Sequence, residues 1–123
     1  MQSYIAENVL LDATHGPIRI GDRTYIGPGT SIVVAPLSDA QANTKEKTQC
    51  MIGDGVWVGD RVRMINTWVG PGARIGMDAR LDRNTVIQER ACVENASWVT
   101  ESTTVQNYSL FTYTNANACD KQD

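Results

Sequence analysis

The sequence predicts an all-β chain, a parallel solenoid of about five triangular coils, and three observations predict it. Aliphatic residues recur every six positions, a small or β-branched residue stands two before each, and every break in this beat falls at one point of the cycle. The beat runs through Ile20, Ile26 and Ile32, resumes at Ile52, Val58 and Met64, then continues through Val69, Ile75, Leu81, Ile87, Val93, Val99 and Val105 to Phe111. The small partners are Thr24, Thr30, Cys50, Val56, Val62, Thr67, Ala73, Ala79, Thr85, Ala91, Ser97, Thr103 and Ser109.

A helix cannot carry this pattern, because six residues turn it by about 600° and scatter successive aliphatics over different faces. An extended chain can. Six is even, so the aliphatic and its small partner point to one side while the polar pair between hexads bends outward. Each hexad is therefore a short strand and a turn. Gly21, Gly27, Gly53, Gly59, Gly70 and Gly76 directly follow the aliphatic, where the chain is expected to bend and a side chain to be costly. Gly27-Pro28-Gly29 and Gly70-Pro71-Gly72 add a proline with preset φ and a glycine that tolerates positive φ.

Three such strands close a triangle, so residues one cycle apart stack in parallel layers. Side A then carries Ile5, Ile26, Val58, Ile75 and Val93; side B carries Leu11, Ile32, Met64, Leu81 and Val99; side C carries Ile20, Ile52, Val69, Ile87 and Val105. Each aliphatic, fully buried, contributes roughly 1.5–3 kcal/mol. The irregular stretches, residues 12–19, residues 33–51 and the one-residue shortening between Met64 and Val69, all fall between sides B and C. A solenoid accepts insertions only at its bends. The expected organisation is one solenoid domain over residues 1–111 with a protruding loop at 33–51, followed by a C-terminal tail at 112–123.

The chain has 123 residues, 11 basic and 14 acidic, for a net charge of −3, and forms none of the basic stripes that nucleic acid requires. It has no basic leader followed by an apolar run, and no stretch approaches the roughly 20 apolar residues of a membrane span. A cytoplasmic protein with neither membrane nor nucleic-acid partner is expected. Cys50, Cys92 and Cys119 show no Cys-x-x-Cys spacing, so neither a disulfide framework nor a zinc site is indicated.

The run Ile20-Gly21-Asp22-Arg23-Thr24-Tyr25-Ile26-Gly27-Pro28-Gly29-Thr30, with Ile52-Gly53-Asp54-Gly55-Val56-Trp57-Val58-Gly59 after a loop, resembles the hexapeptide-repeat acyltransferases of the maltose and galactoside O-acetyltransferase type. The periodicity is silent on the hand of the coil; the resemblance implies a left-handed parallel β-helix and a homotrimer with clefts between subunits. In that family a His-Pro sequence on the loop between two coils supplies the general base for attack of an acceptor hydroxyl on acetyl-CoA. Here the loop reads Val33-Val34-Ala35-Pro36-Leu37-Ser38-Asp39, so Ala35 stands where the resemblance places the histidine. Alanine accepts no proton, and a general base contributes typically 10²–10⁴-fold. Asp39, Glu46 or Asp54 are the substitutes within this region, and His15 is the one histidine of the chain. The Gly-Asn-Pro-Ala-Lys ending of the family is absent as well.

The shortened corner Met64-Ile65-Asn66-Thr67-Trp68-Val69-Gly70 is similar to that of the γ-class carbonic anhydrase-like group. That group binds zinc through three histidines. Two of the matching positions are Asp60 and Ile65, so no metal ligand is assigned to this chain.

His15, in Ala13-Thr14-His15-Gly16-Pro17, reads either as a turn residue or as a side chain reaching a neighbouring subunit's cleft. Trp57, Trp68 and Trp98 each precede a core aliphatic and point outward, either packing on same-face neighbours or forming an interface centred on Tyr25 and Trp57. These readings together give a trimeric, noncatalytic binding or scaffold module needing no cofactor. Its intersubunit cleft, lined by Ala35, Pro36, Trp57 and Asp60, takes a small molecule or a protein. The alternatives are an active acyltransferase using acetyl-CoA, with Asp39 or His15 as base, and a γ-carbonic anhydrase-like protein without zinc.

Overall fold

A computed structural model describes residues 3–36 and 49–111. Residues 37–48 of the expected 33–51 loop, with Asp39 and Glu46, and the 112–123 tail lie outside the described residues, whereas the last positions of that loop, Cys50 and Met51, already belong to a strand of side C. Among the described residues there is no helix, only strands of two or three residues joined by turns.

Side A stacks β1 (Tyr4–Ile5), β4 (Tyr25–Ile26), β7 (Trp57–Val58), β10 (Arg74–Ile75), β13 (Cys92–Val93) and β16 (Leu110–Phe111). Side B stacks β2 (Leu10–Asp12), β5 (Ser31–Val33), β8 (Arg63–Ile65), β11 (Arg80–Leu81) and β14 (Trp98–Val99). Side C stacks β3 (Ile18–Ile20), β6 (Cys50–Ile52), β9 (Trp68–Val69), β12 (Val86–Ile87) and β15 (Thr104–Val105). All pairings are parallel. The register places Ile75 on Val93, Leu81 on Val99 and Ile87 on Val105, the stacking that the six-residue beat dictates. Five complete coils and the first strand of a sixth result.

The core is one column. Ile26, Ile32, Val58, Ile75, Leu81, Ile87 and Val99 are fully buried, and the small residues beside them (Val56, Val62, Ala73, Ala79, Ala91) fill the triangle's corners. Thr24 and Thr30, inward on the same small-residue beat, stay satisfied. Their hydroxyls donate to the carbonyls of Gly53 at 2.7 Å and Gly59 at 3.0 Å and accept from the amides of Val56 and Val62 at 3.3 Å. Buried hydroxyls are tolerable when paired in this way.

The structure corrects the reason for the glycines. Those directly after the core aliphatic do not adopt positive φ; they are required because the coils approach closely. A Cβ on Gly59 would lie 2.7 Å from the amide nitrogen of Met77, and one on Gly53 would lie 2.8 Å from that of Pro71. The left-handed residue comes two positions later, three after the aliphatic, and is mostly not glycine: Arg23, Arg61, Asp78, Asn84, Arg90, Ala96, Ser102 and Tyr108 all have φ between 56° and 64°. Gly29 (φ 76°) and Gly72 (φ 73°) fill the same slot, as the Gly-Pro-Gly reading expects.

A non-glycine residue in this region costs roughly 1–2 kcal/mol. The conformation aims its N–H at the turn carbonyl of the coil before. Arg61 donates to Pro28 at 2.9 Å, Asp78 to Asp60 at 2.8 Å, Ala96 to Met77 at 2.8 Å and Ser102 to Arg83 at 2.9 Å. The corners are thus hydrogen-bonded ladders in their own right, and each net bond of about 0.5–1.5 kcal/mol offsets much of that strain.

Candidate functional site

The corner between sides B and C is where the chain departs from its repeat. Strand β5 leaves side B at Val33, whose carbonyl accepts from the Asn66 amide at 3.1 Å. Asn66 occupies the one-residue shortening in the next coil, is 5% exposed and has a φ of 47°. Its side chain imitates a strand. Oδ1 accepts from the Ala35 amide at 2.8 Å, and Nδ2 donates to the Ala35 carbonyl at 3.1 Å. The Asn66 carbonyl in turn accepts from the Asn84 amide at 3.0 Å, so all four polar groups of this buried residue are used. One coil further on, the Arg83 guanidinium donates to the Pro36 carbonyl at 2.8 Å. Ala35 and Pro36, the entry to the protruding loop, are therefore held at their backbone groups by side chains from two successive coils.

Against this corner lies a shallow groove of about 330 Å³ lined by Gln49, Asn66, Thr67, Trp68, Asn84, Thr85 and Val86. Its chemistry is amide, hydroxyl and indole. None of these side chains exchanges a proton near neutral pH. Cys50 lies beneath it, fully buried; its thiol donates to the Val33 carbonyl at 3.5 Å and accepts from the Thr67 amide at 3.4 Å. Burial pushes the Cys50 thiol up, against the two backbone amides that lower it, so it stays a protonated core residue.

His15 is exposed, in the turn that leaves the same corner one coil earlier, where Asp12 pairs with Val33. Asp12 is held below the ordinary carboxylate range mainly by the Thr14 hydroxyl, which donates to it at 2.6 Å, and then by the Thr14 amide at 3.0 Å. Sequence reasoning about the loop thus put Ala35, Pro36 and His15 on one corner. It missed Asn66, Asn84 and Gln49. The signal that could have found Asn66 was the missing residue in the beat, which demands something to replace a strand bond.

Trp57 and Asp60 lie elsewhere on the chain. Trp57 is on side A, opposite the B–C corner of the triangle, and Asp60 is at the A–B corner beside the Arg61–Asp78 ion pair, whose nitrogen and oxygen are 2.8 Å apart. That hydrogen bond holds the Asp78 carboxyl below its ordinary range. One chain therefore does not bring Ala35, Pro36, Trp57 and Asp60 together. Asp54 is exposed at the C–A corner, where it accepts from the Asp22 amide at 2.8 Å.

The outward aromatics form columns. Tyr4, Tyr25 and Trp57 stack along side A with centroids 5.6 and 6.0 Å apart, and the Arg74 guanidinium caps Trp57 at 5.2 Å. Trp68 is on side C and shares no face with them. On side B, Arg80 covers Trp98 at 5.1 Å, and the Trp98 indole donates to Asp82 at 2.6 Å. Packing on same-face neighbours thus accounts for Trp57 and Trp98 in part, although each remains more than a third exposed, at 37% and 38%. Among the described residues, no group of three or more His, Cys, Asp or Glu side chains could hold a metal ion.

The architecture and the corner define the class: a parallel β-solenoid of hexapeptide coils. Solved structures share it. The hexapeptide transferase family protein of Anaplasma phagocytophilum matches with a TM-score of 0.51 and 15% identity, over 90% of this chain and 74% of that one. A hexapeptide-repeat-containing acetyltransferase of Vibrio cholerae matches with a TM-score of 0.55 and 17% identity, over 88% of this chain and 64% of that one. At such identities the likeness is one of fold. No protein-family model matches the chain, and no curated protein matches it.

Proposed function

We propose that the chain is a noncatalytic hexapeptide-repeat protein of acyltransferase-like ancestry, a trimeric module that binds a small molecule or a protein partner without histidine-dependent transfer. The observation that carries this reading is Ala35 locked between Asn66 and its own strand. The position at which the resemblance expects the base has a methyl group, and its backbone is committed to two hydrogen bonds. Among the described residues, the adjoining groove offers binding groups and no general base. A trimer joins the B–C corner of one subunit to side A of the next, which is how Ala35, Pro36, Trp57 and Asp60 come to line one cleft in this reading.

Titration calorimetry with CoA and acetyl-CoA tests it. No heat beyond dilution is expected at ligand concentrations up to about a millimolar, an affinity weaker than about −4 kcal/mol. Micromolar binding accompanied by acetyl transfer to a sugar or an amine would overturn the reading. The second reading is a divergent acyltransferase. The placement of exposed His15 on the Ala35 corner favours it, with His15 or Asp39 as base, and it requires that His15→Ala or Asp39→Asn abolish the transfer.

A further inference from the structure

The outward column of side A has one short rung. Tyr4, Tyr25, Trp57 and Arg74 lie one against the next, and the register continues from Arg74 to Cys92 and from Cys92 to Leu110. Strands one coil apart are separated by about 4.8 Å, so Arg74 and Leu110 rise from backbones roughly 10 Å apart with only a thiol between them. A flat ring in van der Waals contact on both faces needs about 7–8 Å. A groove of about 290 Å³ opens at this rung, lined by Trp57, Arg74, Cys92, Glu94 and Leu110 among others. Arg74 lies over Trp57 and, among the described residues, has no ion pair, which leaves its second face to the groove. At the A–B end stands Glu94, in the place that Gly27, Gly59 and Gly76 hold in the three coils before. Its Oε1 accepts from the Asn95 amide at 3.3 Å, and its Oε2 is buried without a hydrogen-bond partner. A polar atom left so costs stability until a donor meets it. The last torsion of a glutamate is a broad well, so Oε2, which has no bond to break, turns into the groove at little cost.

We propose that this notch binds the guanine base of a small nucleoside, stacked between Arg74 and Leu110 over Cys92, with its N1–H and 2-amino groups donating to the Glu94 carboxylate. The site selects in three steps. A missing rung takes a flat ring, and a guanidinium face attracts a π-system. Arg74 repels a cation and Glu94 an anion, so the inserted group is neutral. The carboxylate accepts and cannot donate, so the ring must present N–H donors, and two oxygens side by side match two adjacent donors. Guanine has such an edge. Adenine does not, because its amino group stands beside ring nitrogens that would set a lone pair against the second oxygen. The inference rests on the binding reading above, which has Trp57 in a ligand cleft, and it names the ligand. One chain completes the notch.

Titration calorimetry of the 123-residue chain with guanosine, inosine and adenosine tests this. Guanosine is expected to bind, and inosine, which lacks the 2-amino group, to bind about tenfold more weakly. Adenosine should give no heat beyond dilution at about a millimolar. Glu94→Gln, which exchanges one acceptor for a donor, should weaken guanosine binding by about tenfold or more. Cys92→Leu, which fills the short rung from an outward position, should abolish it, and circular dichroism should be unchanged in both variants. No guanosine binding by the wild type, adenosine bound as tightly as guanosine, or wild-type affinity in either variant would overturn the proposal. Its failure is separable from that of the reading above, since acetyl transfer would remove that reading and leave the guanosine titrations as they are.

Discussion

Leu81→Ala is expected to lower the unfolding free energy by about 2–5 kcal/mol and the melting temperature by roughly 10 °C or more. Leu81 is fully buried at the middle of side B, stacked in register between Met64 and Val99. A solenoid has no second core to compensate, and coils above and below Leu81 are held at fixed spacing by ladder bonds, so the cavity cannot collapse. Thr104→Ala, outward and exposed on side C, is the matched control and should change stability by no more than about 0.5 kcal/mol. Urea denaturation of the two variants measures the difference. If the threonine variant were the more destabilised, the inward and outward phases assigned to the whole chain would be inverted.

The second large effect is expected at the corner. Asn66→Ala removes both hydrogen bonds to Ala35, leaves the Ala35 amide without its acceptor and keeps a left-handed φ of 47° that alanine bears poorly. The sum of these losses is about 3 kcal/mol. Asn66→Gly relieves the backbone strain but not the lost bonds, and should recover about 1 kcal/mol of that. Hydrogen exchange adds a local readout: the Ala35 amide should lose its protection in both variants while amides in the core of side A keep theirs. Equal stability of wild type and both variants would show that the pairing with Ala35 carries no weight.

Much of the fold was legible because a solenoid writes its geometry as a period. The side assigned to each aliphatic from Ile5 to Phe111 follows from counting by six, and the observed registers agree from Ile5 on Ile26 to Val93 on Phe111. The hand of the coil was not legible, since both hands place the same residues inward. Nor was the left-handed residue three positions after each aliphatic. That slot is held by Arg, Asp, Asn, Ala, Ser and Tyr as well as Gly, because the inter-coil hydrogen bond, not side-chain type, fixes its conformation.

The candidate site was half legible. Ala35 and Pro36 came from the loop motif, whereas the clamp by Asn66 depends on a side chain replacing backbone, which no spacing rule announces. Grouping Trp57 with Ala35 requires a second subunit, because opposite parts of one triangle cannot meet. The outward tryptophans were read from their alternation, but the arginines that cover Trp57 and Trp98 come from a neighbouring strand in the stack, the following one for Trp57 and the preceding one for Trp98. Their pairing was visible only once the register was known.

The most direct test of the central claim is a transfer assay with acetyl-CoA, a panel of sugar and amine acceptors, and the purified 123-residue protein. Because Ala35 presents no base and the described residues of the groove beside it none either, acetylated product should form no faster than in protein-free controls. Product formed well above that rate would contradict the account by showing that the protein is an acyltransferase, and its loss in His15→Ala or in Asp39→Asn would name the base.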